Sequence, residues 1–391
     1  MNDKVKKSIE ILFKPLPVRK NQVMLYSCLN QYNDSPKYIA EKLHEMDDTL
    51  DIVWVSGSLA QKGKVPEYMR QVKYGTIDFL YEKARSKVIV ENGIGMSSGF
   101  ASGIKRKLNL MWKKKNQLDV STWHGTPLKH ILGDSAEYSS KFCVNDFYSS
   151  SDLLVLSNQY ESDILCRLTN HTVPIKLFGC ARNDPFVNKD SEYRKSLKEK
   201  LGFPADKKVV LYAPTYREEI EYAGIQQMED IDTEYLCKIL GEKFGGEWVF
   251  AFRFHQIALQ KMQNSDTFKL NDHILDGHKS SDMSEYLVAC DAMITDYSST
   301  IYDILYLNKP CFLYAPDYEE YCNSRGLYMQ PSEFPFSLSK TVDELYSDII
   351  HYDEAKANEA VNRFIGQIGG FNDGKASERI ASIIVDYLRK A

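Results

Sequence analysis

His124 is the side chain of this sequence best placed to move a proton. It lies in STWHGTPLKHILG, residues 121–133, directly after a predicted strand, with Gly125 allowing a tight backbone and Pro127 suited to a helix's first turn. A histidine with a pKa near 6.5 can accept a proton from an attacking hydroxyl group at neutral pH. His124 is therefore a candidate general base. On spacing alone, a capping histidine in an ordinary strand-to-helix loop is at least as good an interpretation.

The segment ITDYSSTIYDILYLNKP, residues 294–310, is suited to binding an anion. Its pattern predicts a buried strand, a polar turn and an amphipathic helix, with Ser298, Ser299 and Thr300 at the helix N-terminus. Free amide groups and the helix dipole favour negative charge there, so a pyrophosphate would fit. The alternative is that Ser298 is only an N-cap, a role for which serine is among the preferred residues.

The segment FRFHQ, residues 252–256, adds two cationic or donor groups. Arg253 and His255 are predicted to point to the same face of a strand, because side chains two residues apart in a strand point together. Such a pair suits a phosphate group. Alternatively, Arg253 pairs with a buried carboxylate and His255 is structural.

Two further segments place polar groups after predicted strands. APTYRE, residues 213–218, offers Thr215 and Arg217, and GCARND, residues 179–184, offers Arg182. Either segment could contribute to a phosphate site, or could show only the ordinary polarity of a loop.

The elements that must position these residues are predicted from runs of β-branched residues that alternate with longer helical patterns. The predicted strands are 23–27, 52–56, 87–91, 119–122, 153–157 and 175–178 in a first series, and 209–213, 248–254, 292–295 and 311–314 in a second. This alternation predicts an α/β fold with parallel sheets covered by helices on both faces. A polar segment, residues 184–206, contains a predicted helix from Ser191 to Leu201 and separates the two series.

We therefore predict two Rossmann-like domains, residues 1–185 and 186–391, with a C-terminal helix that could cross back to the first. Ligands of open α/β sheets bind beyond the carboxyl ends of the strands. The polar segments all follow predicted strands, so we expect them to line a cleft between the two domains.

Composition narrows the class of protein. The chain has 391 residues, of which 43% are hydrophobic, and its net charge of -5 argues against a surface built for nucleic acid. The 8 cysteines are scattered without a CxxC pair, which predicts reduced thiols. The sequence shows neither a signal peptide nor an apolar run of membrane-spanning length, so we expect a cytoplasmic protein.

Taken together and in this order, the motifs resemble those of the CDP-glycerol glycerophosphotransferase family, which makes teichoic acids and related capsule polymers. The motifs that carry the resemblance are STWHGTPLK, FGCARND, VLYAPTYRE, FRFHQ and ITDYSSTIYDILYLNKPCFLY, followed by DYEEYCNSRGLY and FNDGKASERI. The resemblance covers roughly residues 20–390 in motif order.

The resemblance implies a GT-B-like pair of Rossmann-type domains, an N-terminal one on the acceptor side and a C-terminal one that binds the CDP of the donor. It implies transfer of glycerol phosphate from CDP-glycerol to a hydroxyl group of a lipid-linked acceptor, with CMP leaving. His124 would be the base and His255 a second catalytic histidine. The implied donor site comprises Trp123, Gly125, Thr126, Arg182, Pro214, Thr215, Arg253, Ser298, Ser299 and Asp303.

A lipid-linked acceptor would require the enzyme to reach the cytoplasmic face of the cell membrane as a peripheral protein. Residues 104–115, IKRKLNLMWKKK, combine six basic residues with apolar ones and could lie on an anionic inner leaflet. Residues 1–20 could assist. The alternative is a solvated helix whose apolar side packs on the N-terminal domain.

Several alternatives stay open at this stage. CDP-ribitol could replace CDP-glycerol, and a nucleotide-sugar glycosyltransferase or epimerase could share the GT-B architecture. A scaffold that only binds a lipid-linked polymer is a third possibility. Asp296 and Asp303 could engage Mg²⁺, but no metal-ligand cluster of recognisable spacing is present, so we predict no metal site.

Overall fold

The computed structural model describes residues 12–27, 30–57, 64–92, 114–134, 151–169, 173–188, 190–215, 227–254 and 274–390. His255, Arg217 and most of the basic segment 104–115 lie outside these ranges. The chain forms two compact units. The first comprises the described residues of Met1–Thr126, Ile131–Val187 and Gly369–Ala391, and the second those of Pro127–His130 and Asn188–Ile368.

The first unit is built around a seven-stranded sheet in the order β3-β2-β1-β4-β5-β6-β7. Its strands are β1 (Arg19–Tyr26), β2 (Asp51–Ser56), β3 (Arg70–Lys73), β4 (Ser86–Glu91), β5 (Leu118–Ser121), β6 (Leu153–Leu156) and β7 (Ile175–Leu177). All neighbouring strands pair in parallel. The order reverses between β1 and β4, and ligands of such sheets bind beside the carboxyl ends of the strands at this reversal.

The second unit contains a six-stranded parallel sheet in the order β10-β9-β8-β11-β12-β13. Its strands are β8 (Lys208–Tyr212), β9 (Trp248–Phe252), β10 (Ile274–Asp276), β11 (Ala292–Thr295), β12 (Cys311–Tyr314) and β13 (Leu338–Ser339). Here the order reverses between β8 and β11. The predicted α/β, GT-B-like class with two Rossmann-type parallel sheets is confirmed.

Helices connect the strands in both units. In chain order they are α1 (Asp34–Met46), α2 (Ile77–Arg85), α3 (Gln159–Thr169), α4 (Ser191–Leu201), α5 (Thr233–Phe244), α6 (Met283–Ala289), α7 (Thr300–Ile304), α8 (Tyr318–Arg325), α9 (Val342–Ile350), α10 (Glu354–Gln367) and α11 (Ala376–Arg389). None of the helices that the structure describes combines the length and apolar composition that a membrane span requires.

The core of the first unit joins the two ends of the chain. Helix α1 buries Ile39 and Leu43, and α11 buries Ile380 and Ile384, each pair at the four-residue spacing of an amphipathic helix. Both stripes pack with Val23 of β1 in one apolar cluster. The C-terminal helix therefore belongs to the core of the first unit.

Most predicted elements are present, with ends that differ by one or a few residues. The helix Ser191–Leu201 and the strand Ala292–Thr295 have the predicted bounds. One difference matters for the site: the strand predicted over 248–254 ends at Phe252, so Arg253 lies beyond it. The prediction that Arg253 lies within this strand is therefore wrong.

Glu91 is a buried carboxyl group at the end of β4, a central strand of the first sheet. It is 6% exposed and lies opposite Tyr26 of β1 and Ser121 of β5. Burial, and then the negative charge of Asp119, raises the pKa of Glu91 to about 8. A group whose pKa is raised on folding holds its proton more tightly in the folded state, so the stability that it contributes is lost as the pH rises toward 8.

We expect replacement of Glu91 by Gln to reduce the pH dependence of stability. The contribution of Glu91 to the free energy of unfolding should fall between roughly pH 5 and pH 8, because an unfolded glutamate has a pKa of about 4.3. The Gln variant mimics the protonated carboxyl group, and it should be more stable than wild type at pH 8 by on the order of 1–3 kcal/mol. Chemical denaturation at several pH values measures both.

Replacement of Glu67, an exposed glutamate of the same unit, by Gln is the matched control. It should leave the slope of stability against pH unchanged. A Glu91 variant with the wild-type slope would show that the carboxyl group ionises in the folded protein without cost.

Candidate active site

The loop after β5 places His124 at the carboxyl end of the first sheet. Trp123 has a φ of 53° and Gly125 a φ of +120°, and these positive values turn the chain sharply on either side of His124. The Trp123 ring is buried and packs with Leu154 and Leu156 of β6. Its centroid lies 4.0 Å from that of the His124 ring. Trp123, predicted at the donor site, here forms the packed support of the imidazole.

A single hydrogen bond sets the tautomer of His124. The imidazole Nδ1 lies 3.1 Å from the carbonyl oxygen of Asn92, which follows β4. A carbonyl oxygen can only accept, so Nδ1 must carry the proton, and in the neutral ring Nε2 then has a lone pair available.

The electrostatic surroundings of His124 favour the neutral ring. Burial lowers the pKa of His124, and this effect outweighs the nearby Asp34 carboxylate and the Asn92 carbonyl, which both act to raise it. Arg182 acts in the same direction as burial. The side chain is therefore deprotonated at neutral pH, which is the state that a general base needs.

Arg182 lies in the 3₁₀ helix Ala181–Val187, which follows β7. Its Nη1 atom donates to the carbonyl oxygen of His124 at 2.8 Å and to the two carboxylate oxygens of Asp34 at 3.1 and 3.2 Å. The Arg182 side chain is 10% exposed. The structure thus places Arg182 against the histidine loop, and its predicted role at the donor diphosphate stays a prediction.

Gly125 and Thr126 are held in the same loop. A Cβ atom at Gly125 would come within 2.5 Å of Arg182 Nη2, so only glycine leaves room for the guanidinium group. Thr126 Oγ1 accepts a hydrogen bond from Asn158 Nδ2 at 2.7 Å and lies 3.2 Å from Ser157 Oγ. A small pocket in this unit is lined by Ser35, Thr122, Gly125, Ser157, Glu161 and Cys180, among others.

In the second unit, the loops after β8 and β11 meet at the reversal of the strand order. The backbone N–H of Thr215 donates to both carboxylate oxygens of Asp296, at 2.9 and 3.0 Å. Pro214 is buried beside it. Asp296 therefore fixes the Thr215 loop through its backbone, which is a positioning role for a residue that was considered as a Mg²⁺ ligand.

The serine turn at Ser298 and Ser299 leads into a helix that is shorter than predicted. Helix α7 covers only Thr300–Ile304, followed by a 3₁₀ turn, Leu305–Leu307. Ser298 Oγ accepts a hydrogen bond from Thr300 Oγ1 at 2.7 Å, and Ser299 is the N-cap residue without a side-chain capping bond. Both serines are half-buried, whereas Asp303 is buried within α7.

Arg253 uses its guanidinium group inside the second unit. Nη1 donates to the carbonyl oxygens of Gly277 and Ser280 at 2.7 and 2.8 Å, and Nη2 donates to that of Ser281 at 3.2 Å. The group also lies over the Tyr286 ring, 4.4 Å from its centroid. Burial lowers the pKa of Arg253. These contacts show an arginine that shapes the 277–281 loop, a role that the sequence did not indicate.

Four residues near these positions were not predicted. Asp34 and Asn92 follow β1 and β4 and hold Arg182 and His124, and their strand-end positions were the available signal. In the second unit, His278 Nε2 accepts from the backbone N–H of Phe254 at 3.0 Å, while Nδ1 contacts Asp276. The tripeptide DGH, residues 276–278, follows no long apolar run, so the sequence gave no comparable signal for these two residues.

Within the described ranges, no group of three His, Cys, Asp or Glu side chains is arranged to hold a metal ion.

Comparisons with known proteins agree over nearly the whole chain. The family model described as CDP-Glycerol:Poly(glycerophosphate) glycerophosphotransferase matches residues 9–386. The chain is 30% identical over 377 residues to the teichoic acid poly(glycerol phosphate) polymerase of Staphylococcus epidermidis, which covers 90% of this chain and 48% of that protein. It is 28% identical over 406 residues to the teichoic acid glycerol-phosphate transferase of Staphylococcus aureus, covering 97% of each.

A solved structure is also similar. The wall teichoic acid polymerase TagF, in a variant soaked with CDPG, matches with a TM-score of 0.80 at 26% identity, over 98% of this chain and 94% of that chain. The chain spans about half the length of the poly(glycerol phosphate) polymerases of Staphylococcus epidermidis and Bacillus subtilis that it matches.

We expect Gly125→Ala to destabilise the first unit mainly through Arg182. The new methyl group needs the space that Nη2 occupies, and the buried guanidinium group is held by Asp34 and the His124 carbonyl. Together with the strain of a positive φ, the cost should be about 2–3 kcal/mol of unfolding free energy. In an Arg182→Ala background the collision is absent, so the same substitution should cost at least about 1 kcal/mol less.

A double-mutant cycle measured by denaturant unfolding tests this expectation. An equal cost of Gly125→Ala in both backgrounds would mean that Arg182 moves aside freely and that its contacts contribute little.

Proposed function

The chain belongs to the CDP-glycerol:poly(glycerophosphate) glycerophosphotransferase family, and we propose that it transfers glycerol phosphate from CDP-glycerol to an acceptor hydroxyl group in teichoic acid synthesis. The observation that most supports this proposal is the tautomer and the protonation state of the His124 ring. Its Nδ1 proton is committed to the Asn92 carbonyl and its lowered pKa leaves Nε2 unprotonated at neutral pH. The relatives' names supply the class of polymer.

The proposed reaction is a phosphoryl transfer. The acceptor oxygen attacks the phosphorus atom that carries the glycerol, the bond from that phosphorus to the bridging oxygen of the diphosphate breaks, and CMP leaves. Nε2 of His124 takes the hydroxyl proton as the new phosphorus–oxygen bond forms. Such reactions depend chiefly on alignment and on stabilising charge on the transferring oxygens.

The donor is proposed to bind through residues of the second unit. Pro214, Thr215, Ser298 and Ser299 follow β8 and β11, whose carboxyl ends flank the reversal of strand order, and the fixed Thr215 loop supports this assignment. Arg253 would act by shaping the 277–281 loop. His255 keeps its proposed catalytic role on the resemblance alone, because it lies outside the described residues. Asp303, and also Arg182 of the first unit, are assigned to the donor site on the same basis.

The acceptor is proposed to be a lipid-linked polymer or saccharide, reached by peripheral contact with the inner leaflet at the cytoplasmic face. The basic and apolar composition of residues 104–115 supports this, and it requires no nucleic acid partner. In the part that the structure describes, the side chain of Leu12 is 70% exposed and lies two residues before Lys14 in the sequence. An exposed apolar side chain thus lies near a basic residue here as well.

We expect His124→Ala to abolish transfer. Purified enzyme would be incubated with CDP-glycerol, or separately with CDP-ribitol, and a short-chain lipid-diphosphate disaccharide, while CMP release and acceptor mass are followed. Wild type should release CMP from CDP-glycerol and add glycerol-phosphate increments. Loss of a general base should reduce kcat by about 10²–10⁴-fold. His351→Ala, at an exposed histidine that follows α9, should leave kcat unchanged.

The product mass separates the alternatives. A single increment would indicate priming, a ladder would indicate polymerisation, and a ribitol increment would change the donor. Absence of CMP release from both donors would contradict the proposal and favour a nucleotide-sugar glycosyltransferase or a binding scaffold.

A further inference from the structure

Asp34 stands in an unusual backbone conformation beside the histidine loop. It begins α1 with a φ of 59°, one of four positive φ values at non-glycine residues in the described ranges; the others are Asn30, Trp123 and Asn308. Left-handed conformations cost free energy outside glycine, although aspartate bears them better than most residues. Two of the four, Asp34 and Trp123, border His124 or its partner Arg182. Strain that clusters in this way points to function.

The Asp34 carboxylate is fully engaged by this conformation. One oxygen accepts from the backbone N–H of Ser35 at 2.6 Å, and both oxygens accept from Arg182 Nη1. The same Nη1 atom donates to the carbonyl oxygen of His124. A continuous path of contacts therefore runs from the start of α1, through a buried guanidinium group, to the main chain of the residue assigned as base.

The groups that bear on the imidazole come from each of the surrounding loops. Asp34 after β1 is negative and acts to raise the pKa of His124, and the Asn92 carbonyl after β4 acts in the same direction. Arg182 after β7 is positive and acts to lower it, as does burial. Asp34 is thus a negatively charged group, within the described residues, that can offset the imidazolium that forms during proton transfer.

We propose that Asp34 is a positioning residue for His124, which anchors Arg182 on the His124 carbonyl and stabilises the imidazolium formed when the acceptor proton is taken. This rests on the proposed function of His124 as general base. In the step, the O–H bond of the acceptor breaks and an Nε2–H bond forms, while Asp34 stays ionised and touches neither substrate. The arrangement follows the logic of a base oriented by a third group, with an arginine placed between the two.

Asp34→Asn tests the proposal with two independent readouts. The pKa of His124 is followed by NMR titration of the histidine ring in the full-length protein, and kcat/KM and kcat are measured against pH with CDP-glycerol. Removal of the carboxylate charge should lower the pKa of His124 and move the acid limb of the kcat/KM profile to lower pH. We expect kcat to fall by about 10–100-fold through misorientation, with the donor KM within about twofold of wild type.

Two further variants control for simple damage to the fold. Asp34→Glu keeps the charge and should recover part of kcat and a His124 pKa close to wild type. Asp51→Asn removes the carboxylate of a comparable pair, Arg70 with Asp51 at 2.7 and 2.8 Å, at the edge of the same sheet. It should leave the His124 titration and the pH profile unchanged.

The outcomes separate this inference from the proposed function. An unchanged His124 pKa in Asp34→Asn overturns the inference, whatever the activity. A lowered pKa in Asp34→Asn, together with a wild-type enzyme that releases no CMP, supports the electrostatic link and refutes the transferase proposal. If Asp34→Asn does not fold, Arg182→Gln decides in its place: it removes the cation that Asp34 anchors, and retention of the wild-type kcat and pH profile would overturn the inference.

Discussion

The 3₁₀ helix Ala181–Val187 ties together three parts of the first unit that lie far apart in the sequence. Its Arg182 binds Asp34 and the His124 carbonyl, and the carbonyl oxygen of Asn183 accepts from Asn372. Asp184 accepts from the backbone N–H groups of Ala376 and Ser377 at the start of α11. One short segment therefore sets the start of α1, the histidine loop and the docking of the C-terminal helix. The histidine loop can be held in its strained turn because the elements around it are fixed to one another.

This arrangement has a desolvation cost at the carboxyl group of Asp184. Burial raises the pKa of this carboxyl group even though three hydrogen bonds from the start of α11 act to lower it. The favourable interaction of a carboxylate with a helix N-terminus offsets much of that desolvation. The charged residues of the motif GCARND therefore have structural roles. Arg182 anchors the start of α1 and the histidine loop, and Asp184 anchors the start of α11.

The sequence predicted the regular part of the fold well, because buried parallel strands are continuous apolar runs. Cys311–Tyr314 shows such a run with its predicted bounds. Three strands were missed, Arg70–Lys73, Ile274–Asp276 and Leu338–Ser339, because they are short or polar and lie toward the edges of the sheets. The position of His124 was predicted from its strand, but its partners were not. Asp34 and Asn92 are brought to it only by the strand order β1-β4-β5, which no local pattern encodes.

Arg182 and Arg253 have structural roles that the sequence alone did not predict. Arg253 was assigned to a phosphate group as a cation on a predicted strand face, and Arg182 was assigned to the donor site through the resemblance. In the structure each donates to internal acceptors: a carboxylate and a carbonyl in one case, three carbonyls in the other. The N–H groups that make these hydrogen bonds are committed within the fold. Arg182 therefore holds the histidine loop and Arg253 holds the 277–281 loop. Under the proposed function, catalysis would depend on how rigidly these arginines hold the two loops.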